Sequence, residues 1–525
     1  MFTIKRLHRS LGSALLLVML FSGGAVPASA AAAAYPPASA ESRHTAEVLF
    51  DDHFTGRALR FDLYQIGHAA EEQVAVDRII EEPLWPENRT RLVDPFNLGR
   101  YAVKVIDAAT GTLIFSRGFD CLFGEYKTTT PAAEGIRRVF QRPVRIPHPK
   151  KPFVFAVEVR DRDNVLQPLF SAEIDPGDYH IIRGGAAGAD TIYEVQQTGD
   201  PLERVDVVIV AEGYTAAEEA KFRADADRMT GWLFSVEPFK SAQDRFNVTA
   251  VLRPSLESSV DEPRQGLFRK TALDASFNAL DLDRYLLVDK LHRLREIASQ
   301  VPYDTIVVMV NSPRYGGGGI YNDYCITTVD NVRSKDVFIH EFGHSFAGLA
   351  DEYYTSEVSY NEFYPPGIEP LEPNITALLD PENIKWKDLL SPGIPIPTPH
   401  GKEEIEALQD ERRKSREAAA REIEEAKASG LSGEAFLNLQ ARHKAADDDF
   451  AKRIEEVRAR FRHLEDKVGA FEGAGYAAKG LFRSMLHCLM ISSPTGEFCR
   501  VCQAAISRMI DYYAGEDAPV PGPRP

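Results

Sequence analysis

Five consecutive residues, His340-Glu341-Phe342-Gly343-His344, set two imidazoles four positions apart with a carboxylate between them. On an α-helix such a pair projects from one face about one turn apart, so both rings can hold one divalent ion. The carboxylate of Glu341 is then placed to take a proton from an attacking water, which is the chemistry of zinc-dependent hydrolases. The third ligand must come from beyond the helix. Gly348 supplies a residue that tolerates the left-handed turn ending a helix, and Asp351 follows three positions on with a hard oxygen donor. Asp351 is the first choice; Glu352, Glu357 and a glutamate on a later helix stay open. Three protein ligands leave a fourth position free, as a catalytic zinc requires and a structural one does not. One zinc ion per chain is the expected cofactor.

The five-residue core is a weak signal by itself, and its surroundings strengthen it. Val337, Phe338, Ile339, Phe342, Phe346 and Leu349 give the segment an apolar stripe at helical spacing, as a half-buried metal-binding helix needs. A plain amphipathic helix with histidines bonded to carbonyls would leave Glu341 and the Gly-x-x-Asp continuation unexplained. Upstream, the apolar run Val207 to Ala211, a capping box at Thr215 and Glu218, a strand at Phe246 to Leu252, a helix at about 281–299 and a strand at Thr305 to Val310 alternate as in an α/β layer. Between them and the metal helix lie four glycines, Gly316 to Gly319. Their missing side chains would let a bound backbone approach, so Gly318, Gly319, Ile320 and Tyr321 are the expected substrate contacts. Ile320 to Thr328 reads as a strand able to pair with an extended peptide, with an ordinary edge strand after a loop as the alternative. A phosphate-binding loop is excluded, because no Lys-Ser/Thr closes the glycines and no helix begins there.

The remainder of the 525 residues falls into segments. Lys5, Arg6 and Arg9, the apolar stretch Leu11 to Phe21 and Ala28-Ser29-Ala30 read as a signal peptide cleaved after Ala30, giving a secreted or periplasmic protein. Residues 31–44 are an Ala/Pro/Ser-rich lead-in, and 45–195 alternate as short strands with turns at 108–111 and 161–164, the pattern of a β-sandwich. Residues 196–515 form the domain that carries the metal motif, and 516–525 are a Pro-rich tail. Within that domain 402–468 are dense in Glu, Lys, Arg and Ala; Phe450, Ile454, Val457, Phe461, Leu464 and Val468 form a helical seam, so a helical hairpin is expected as an insertion, its partner unknown. A net charge of −17 argues against nucleic acid as a partner, and no segment of the mature chain reads as a membrane span or stable membrane anchor. Of five cysteines, Cys488, Cys499 and Cys502 crowd together. A second zinc at Cys-x-x-Cys lacks a full ligand set in the sequence, so a disulfide from Cys488 to Cys499 or Cys502 is the preferred reading.

With the string His340 to Tyr354 and the segments Cys488-Leu489-Met490 and Phe498-Cys499-Arg500-Val501-Cys502 in view, the chain resembles the IgA-peptidase family of zinc metallopeptidases over most of residues 45–515. The resemblance implies an α+β, multi-domain fold: an N-terminal β-sandwich, then a metzincin-like α/β zinc-protease domain carrying the helical hairpin. It also implies a methionine turn beneath the metal, for which Met490 is the candidate and Met485 the alternative. The glycine lies one residue later than in the metzincin string, and aspartate stands where histidine is usual. The expected function is a secreted zinc endopeptidase acting on an extracellular protein or peptide such as immunoglobulin A, with Glu341 as general base and Tyr476 as oxyanion donor, Tyr353 or Arg483 behind it. The contrasting expectation is a non-catalytic glycan- or protein-binding protein with a structural metal.

Overall fold

The computed structural model describes residues 48–184, 190–354, 363–491 and 496–515. The expected signal peptide, the lead-in, Glu357 and the tail lie outside the described residues. Among those described, no helix is long and apolar enough to cross a membrane.

The N-terminal part is rich in antiparallel sheet. Its strands are β1 (Phe54–His68), β2 (Glu71–Glu82), β3 (Tyr101–Asp107), β4 (Leu113–Phe119), β5 (Arg138–Pro149), β6 (Phe153–Arg160) and β7 (Leu166–Ile174). They form a three-stranded sheet ordered β2-β1-β5 and a four-stranded sheet ordered β4-β3-β6-β7. The two sheets share one core, in which Phe61 of β1 stacks on Phe155 of β6 with ring centroids 3.9 Å apart. Both expected hairpins are present; in the first, Asp107 Oδ1 accepts from the backbone N–H groups of Ala109 and Thr110 and so shapes the turn.

The next strand, β8 (Thr191–Gln196), pairs into a third sheet and not with the first two. That six-stranded sheet also contains β9 (Val205–Glu212), β10 (Phe246–Leu252), β11 (Thr305–Val310), β12 (Gly317–Ile320) and β13 (Tyr324–Thr328), in the order β12-β13-β11-β9-β10-β8. The central pairs are parallel and the two outer pairs antiparallel. Parallel strands covered on both faces are predominantly apolar, and every residue of β9, β10, β11 and β13 is buried, the polar ones among them included. Alternate side chains enter opposite cores. Val207, Ile209 and Met309 meet α1 (Glu219–Leu233) and the metal helix α3 (Ser334–Ala347), whereas Val208, Val210 and Val308 meet α2 (Leu291–Ala298). Both groups of the Thr215–Glu218 capping box are made, through a short 3₁₀ turn that precedes α1.

Helix α2 is shorter than the expected 281–299. Residues before it make a 3₁₀ turn and a two-residue strand, and Leu286, Leu287 and Val288 are committed to the core, which a continuous helix would not allow.

Helices α4 (Lys402–Ala428) and α5 (Gly433–Arg460) run antiparallel, tied by Arg412 and Arg416 on Asp447 and by Glu404–Arg460 and Glu422–Arg442 pairs. Their shared apolar contact is small: Ile405, Leu408, Ile454, Val457 and Phe461. The seam expected through Leu464 and Val468 ends at Phe461, because the chain leaves the helix there and Val468 enters the main core. The chain closes with β14 (Ile375–Thr376), β15 (Phe471–Ala474) and β16 (Ala477–Arg483) in a three-stranded sheet ordered β14-β16-β15, and with α6 (Arg500–Ala514) against α3.

Candidate active site and metal centre

Helix α3 ends at Gly348, left-handed at φ 59°, whose N–H donates to His344 O, while Leu349 N–H donates to Gly343 O. This turn sends the chain back along the helix, and that reversal brings Asp351 to the histidines. His340 Nε2 lies 3.0 Å from Asp351 Oδ1, His344 Nε2 lies 3.4 Å from it, and the two Nε2 atoms are 3.1 Å apart. A tetrahedral zinc with bonds near 2.0–2.2 Å needs donor atoms about 3.3 Å from one another, so the three fit one ion.

The tautomers support the fit. His340 Nδ1 is 3.1 Å from Leu489 O and His344 Nδ1 is 2.5 Å from Leu349 O. A carbonyl only accepts, so each Nδ1 carries the proton and each Nε2 presents a lone pair. Asp351 Oδ1 is buried and receives no hydrogen bond. Three lone-pair donors facing one point repel unless a cation lies among them. The same demand is visible in titration. Burial opposes the charged imidazole, yet the Asp351 carboxylate outweighs it and pushes His344 up to about 9, so positive charge is favoured here, either as a proton on Nε2 or as a cation that takes the proton's place. The histidine side chains stay 15% and 17% exposed, which leaves the site reachable from the cleft.

Three backbone clamps hold the third ligand. Asn374, fully buried, accepts from Ala350 N–H and donates to Ala350 O; Gly475 N–H donates to Asp351 O; Glu352 N–H donates to Met490 O. Tyr476 sits in the two-residue turn between β15 and β16, left-handed at φ 64°, a conformation a tyrosine adopts only when its surroundings impose it. Here they do. Its N–H donates to Tyr353 O and its hydroxyl donates to Asp351 Oδ2. Tyr476 therefore positions a ligand rather than standing free as an oxyanion donor. The Tyr353 ring stacks on His340 with centroids 6.4 Å apart. Arg483 is turned away, donating to the carbonyls of Glu472 and Gly473.

Met490 lies under the helix: its sulfur is 3.3 Å from the point a side chain on Gly343 would occupy. Glu341 faces the cleft, and burial raises its carboxyl above the ordinary value against the pull of His340 and His344. Glu352 leaves the backbone on the side opposite Asp351 and runs to the sulfurs of Cys502 and Cys499, so it is not the third ligand of this centre. The expected disulfide is not formed. All five cysteines are free thiols, and Cys488 Sγ is 3.7 Å from Cys502 Sγ.

The glycine run lines the cleft and has a structural use besides the one expected. Residues Ile320 to Thr328 are not one strand; Asn322, at φ 52°, turns the chain between β12 and β13, and β13 is paired on both sides. The sheet edge in the cleft is β12. A Cβ on Gly319 would fall 2.2 Å from Glu341 O and one on Gly317 would fall 2.6 Å from Val337 Cγ1, so these glycines let the sheet edge lie against the metal helix. Gly318 points the other way, where a Cβ would meet the tip of Leu287 at 3.0 Å. We expect Gly319→Ala to displace α3, lowering stability by about 1–3 kcal/mol and weakening zinc retention, whereas Gly318→Ala has a movable neighbour and a smaller effect. Thermal unfolding and zinc content of the two variants check this; equal behaviour would refute it.

The cleft has a further wall that the sequence did not announce. Arg100, Asp120 and Glu125 of the N-terminal part line it together with Arg284, Tyr285 and Tyr364. No local motif marks them. They arrive because the turn after β12 docks on the N-terminal sheets: Asp120 N–H donates to Tyr321 O, Asn322 Nδ2 donates to Gly118 O, and Arg142 pairs with Asp323.

A helix-borne histidine pair, a returning aspartate and a half-buried glutamate beside a sheet edge make a site of the hydrolase kind. The chain belongs to the IgA Peptidase M64 family, whose model matches residues 193–510, and the model described as Peptidase M64 N-terminus matches residues 49–171. It is thus a peptidase by family. A comparison with curated proteins finds no match.

Proposed function

We propose that the protein is an exported zinc endopeptidase in which His340, His344 and Asp351 hold the ion and Glu341 is the general base. The observation that carries this reading is the convergence of two Nε2 atoms and an Asp351 oxygen within 3.0–3.4 Å, beside the half-buried Glu341. When bound, zinc there would polarise a scissile carbonyl and acidify the attacking water. Glu341, its proton affinity raised by burial, accepts that proton and hands it to the leaving amine. Leu489 O and Leu349 O orient the imidazoles, Tyr476 holds the carboxylate, and Met490 supports the helix from below, the place a methionine turn takes in metzincin-like enzymes. An extended substrate would lie along the β12 edge at Gly318 to Ile320, near Tyr321. Export rests on the N-terminal sequence. The family name points to immunoglobulin A as one extracellular protein to try, and a peptide library would define the preference.

Metal removal tests the reading. Dialysis against a zinc chelator is expected to abolish casein cleavage, and stoichiometric zinc to restore it. Undiminished cleavage by protein shown to contain no zinc would refute the proposal.

A further inference from the structure

Behind the catalytic aspartate the same segment turns a second ligand-bearing side chain into the core. Glu352, Cys488 and Cys502 are fully buried and Cys499 is 4% exposed, and one donor atom from each lies within 4.8 Å of the others. Cys488 Sγ to Cys502 Sγ is 3.7 Å, Cys502 Sγ to Glu352 Oε1 is 3.2 Å, and Cys499 Sγ to Glu352 Oε1 is 3.8 Å. A disulfide needs its sulfurs about 2.05 Å apart. Tetrahedral zinc, with Zn–S near 2.3 Å and Zn–O near 2.0–2.2 Å, sets sulfurs about 3.8 Å apart and sulfur from oxygen about 3.6 Å. The cluster has the second spacing.

Three further features suit a cation. Glu352 Oε2 is buried without a hydrogen-bond partner, Oε1 accepts from Asn374 Nδ2 at 3.0 Å, and no ion pair reaches this carboxylate among the described residues. A carboxylate so placed in an apolar core is stable only if protonated or neutralised by positive charge. The sulfurs also receive the donors that stabilise thiolates: Cys499 N–H on Cys488 Sγ at 3.2 Å, Cys502 N–H on Cys499 Sγ at 3.4 Å, and Ser484 Oγ 3.2 Å from Cys499 Sγ. Cys499 is, moreover, the N-cap of the fifteen-residue helix α6, where the helix dipole favours negative charge.

We propose that Glu352, Cys488, Cys499 and Cys502 bind a second zinc ion, closed by four protein ligands and therefore structural. The three thiols release their protons to solvent as the ion enters; no oxidation is involved. The ion joins three stretches distant in sequence: the segment leaving the metal helix, the turn containing Met490, and the start of α6. Two of these carry catalytic geometry, because Leu489 O orients His340 and Glu352 follows Asp351. The second ion would hold the back of the active site in register.

The test uses the full chain carrying His340→Ala and His344→Ala, which removes the first site and leaves every cysteine in place. One zinc per chain should remain, against two in the wild type, and an organomercurial thiol reagent should release it. Cobalt exchanged into this double variant should give a near-ultraviolet thiolate-to-cobalt charge-transfer band. Adding Cys499→Ser and Cys502→Ser should abolish both. A folded double variant that holds no zinc would overturn the proposal, as would a Cys488 disulfide to Cys499 or Cys502 in non-reducing peptide maps. Retention of the zinc after the cysteine substitutions would overturn it too. Peptidase activity enters none of these readouts, so failure of the catalytic reading and failure of this one are separable.

Discussion

Glu341→Gln is expected to slow casein cleavage by about 10²–10⁴-fold while zinc content stays at the wild-type level. The separation follows from the geometry. The proposed donors are His340, His344 and Asp351, and Glu341, whose carboxylate lies within 4.8 Å of a ring nitrogen of each histidine, faces the same cleft as the proposed base. Glutamine keeps the size of the side chain, which matters here because the Cγ of Glu341 packs close to the backbone of Gly317. It removes only the capacity to accept a proton. Initial rates on casein with metal analysis of the same samples decide the matter. Cleavage at the wild-type rate would eliminate Glu341 as the base, and loss of zinc would make it a ligand.

Asp323→Ala should lower stability by about 3–5 kcal/mol, the largest effect we expect from a residue outside the metal centre. Asp323 is completely buried in the turn joining β12 to β13. Arg142 Nη1 from the N-terminal sheet reaches its Oδ2 at 2.5 Å, and Arg295 Nη2 from α2 reaches its Oδ1 at 2.8 Å. Removing the carboxylate leaves two buried guanidinium groups facing each other without a counter-charge. The cleft wall should loosen with it, since the same turn carries Tyr321 and Asn322 onto the N-terminal part. Chemical denaturation followed by tryptophan fluorescence measures the loss. Glu422→Ala is the control: its partners Arg442 and His443 lie on the exposed helical pair, and such surface pairs contribute about 1 kcal/mol or less. Similar losses in the two variants would remove the buried triad from the account.

The metal helix, its terminating glycine and the strands of the six-stranded sheet were legible because each depends on neighbours in sequence. A four-residue spacing puts His340 and His344 on one face whatever the rest of the chain does, and the runs at 207–211 and 306–310 are apolar because parallel strands are covered on both sides. The glycines were legible only in part, for an equally physical reason. Absence of a side chain permits close approach, but sequence does not say what approaches, and here it is the backbone of α3. The cysteines misled in the same manner: the fourth member of their cluster, Glu352, stands 136 positions before Cys488 and carries no mark of belonging to it.

What the sequence by itself determined is the chemistry on offer: a pair of imidazoles, a base and a carboxylate returning past a glycine, on a helix built to lie on a sheet. These are short-range consequences of helical periodicity and left-handed termination. Only the tertiary structure decided which way each donor points. Asp351 faces the histidines and Glu352 the thiols, Tyr476 is bound to a ligand instead of free in the cleft, and the N-terminal sheets form part of the wall. Those choices depend on contacts between residues tens to hundreds of positions apart, fixed by where buried polar groups find partners when the layers close.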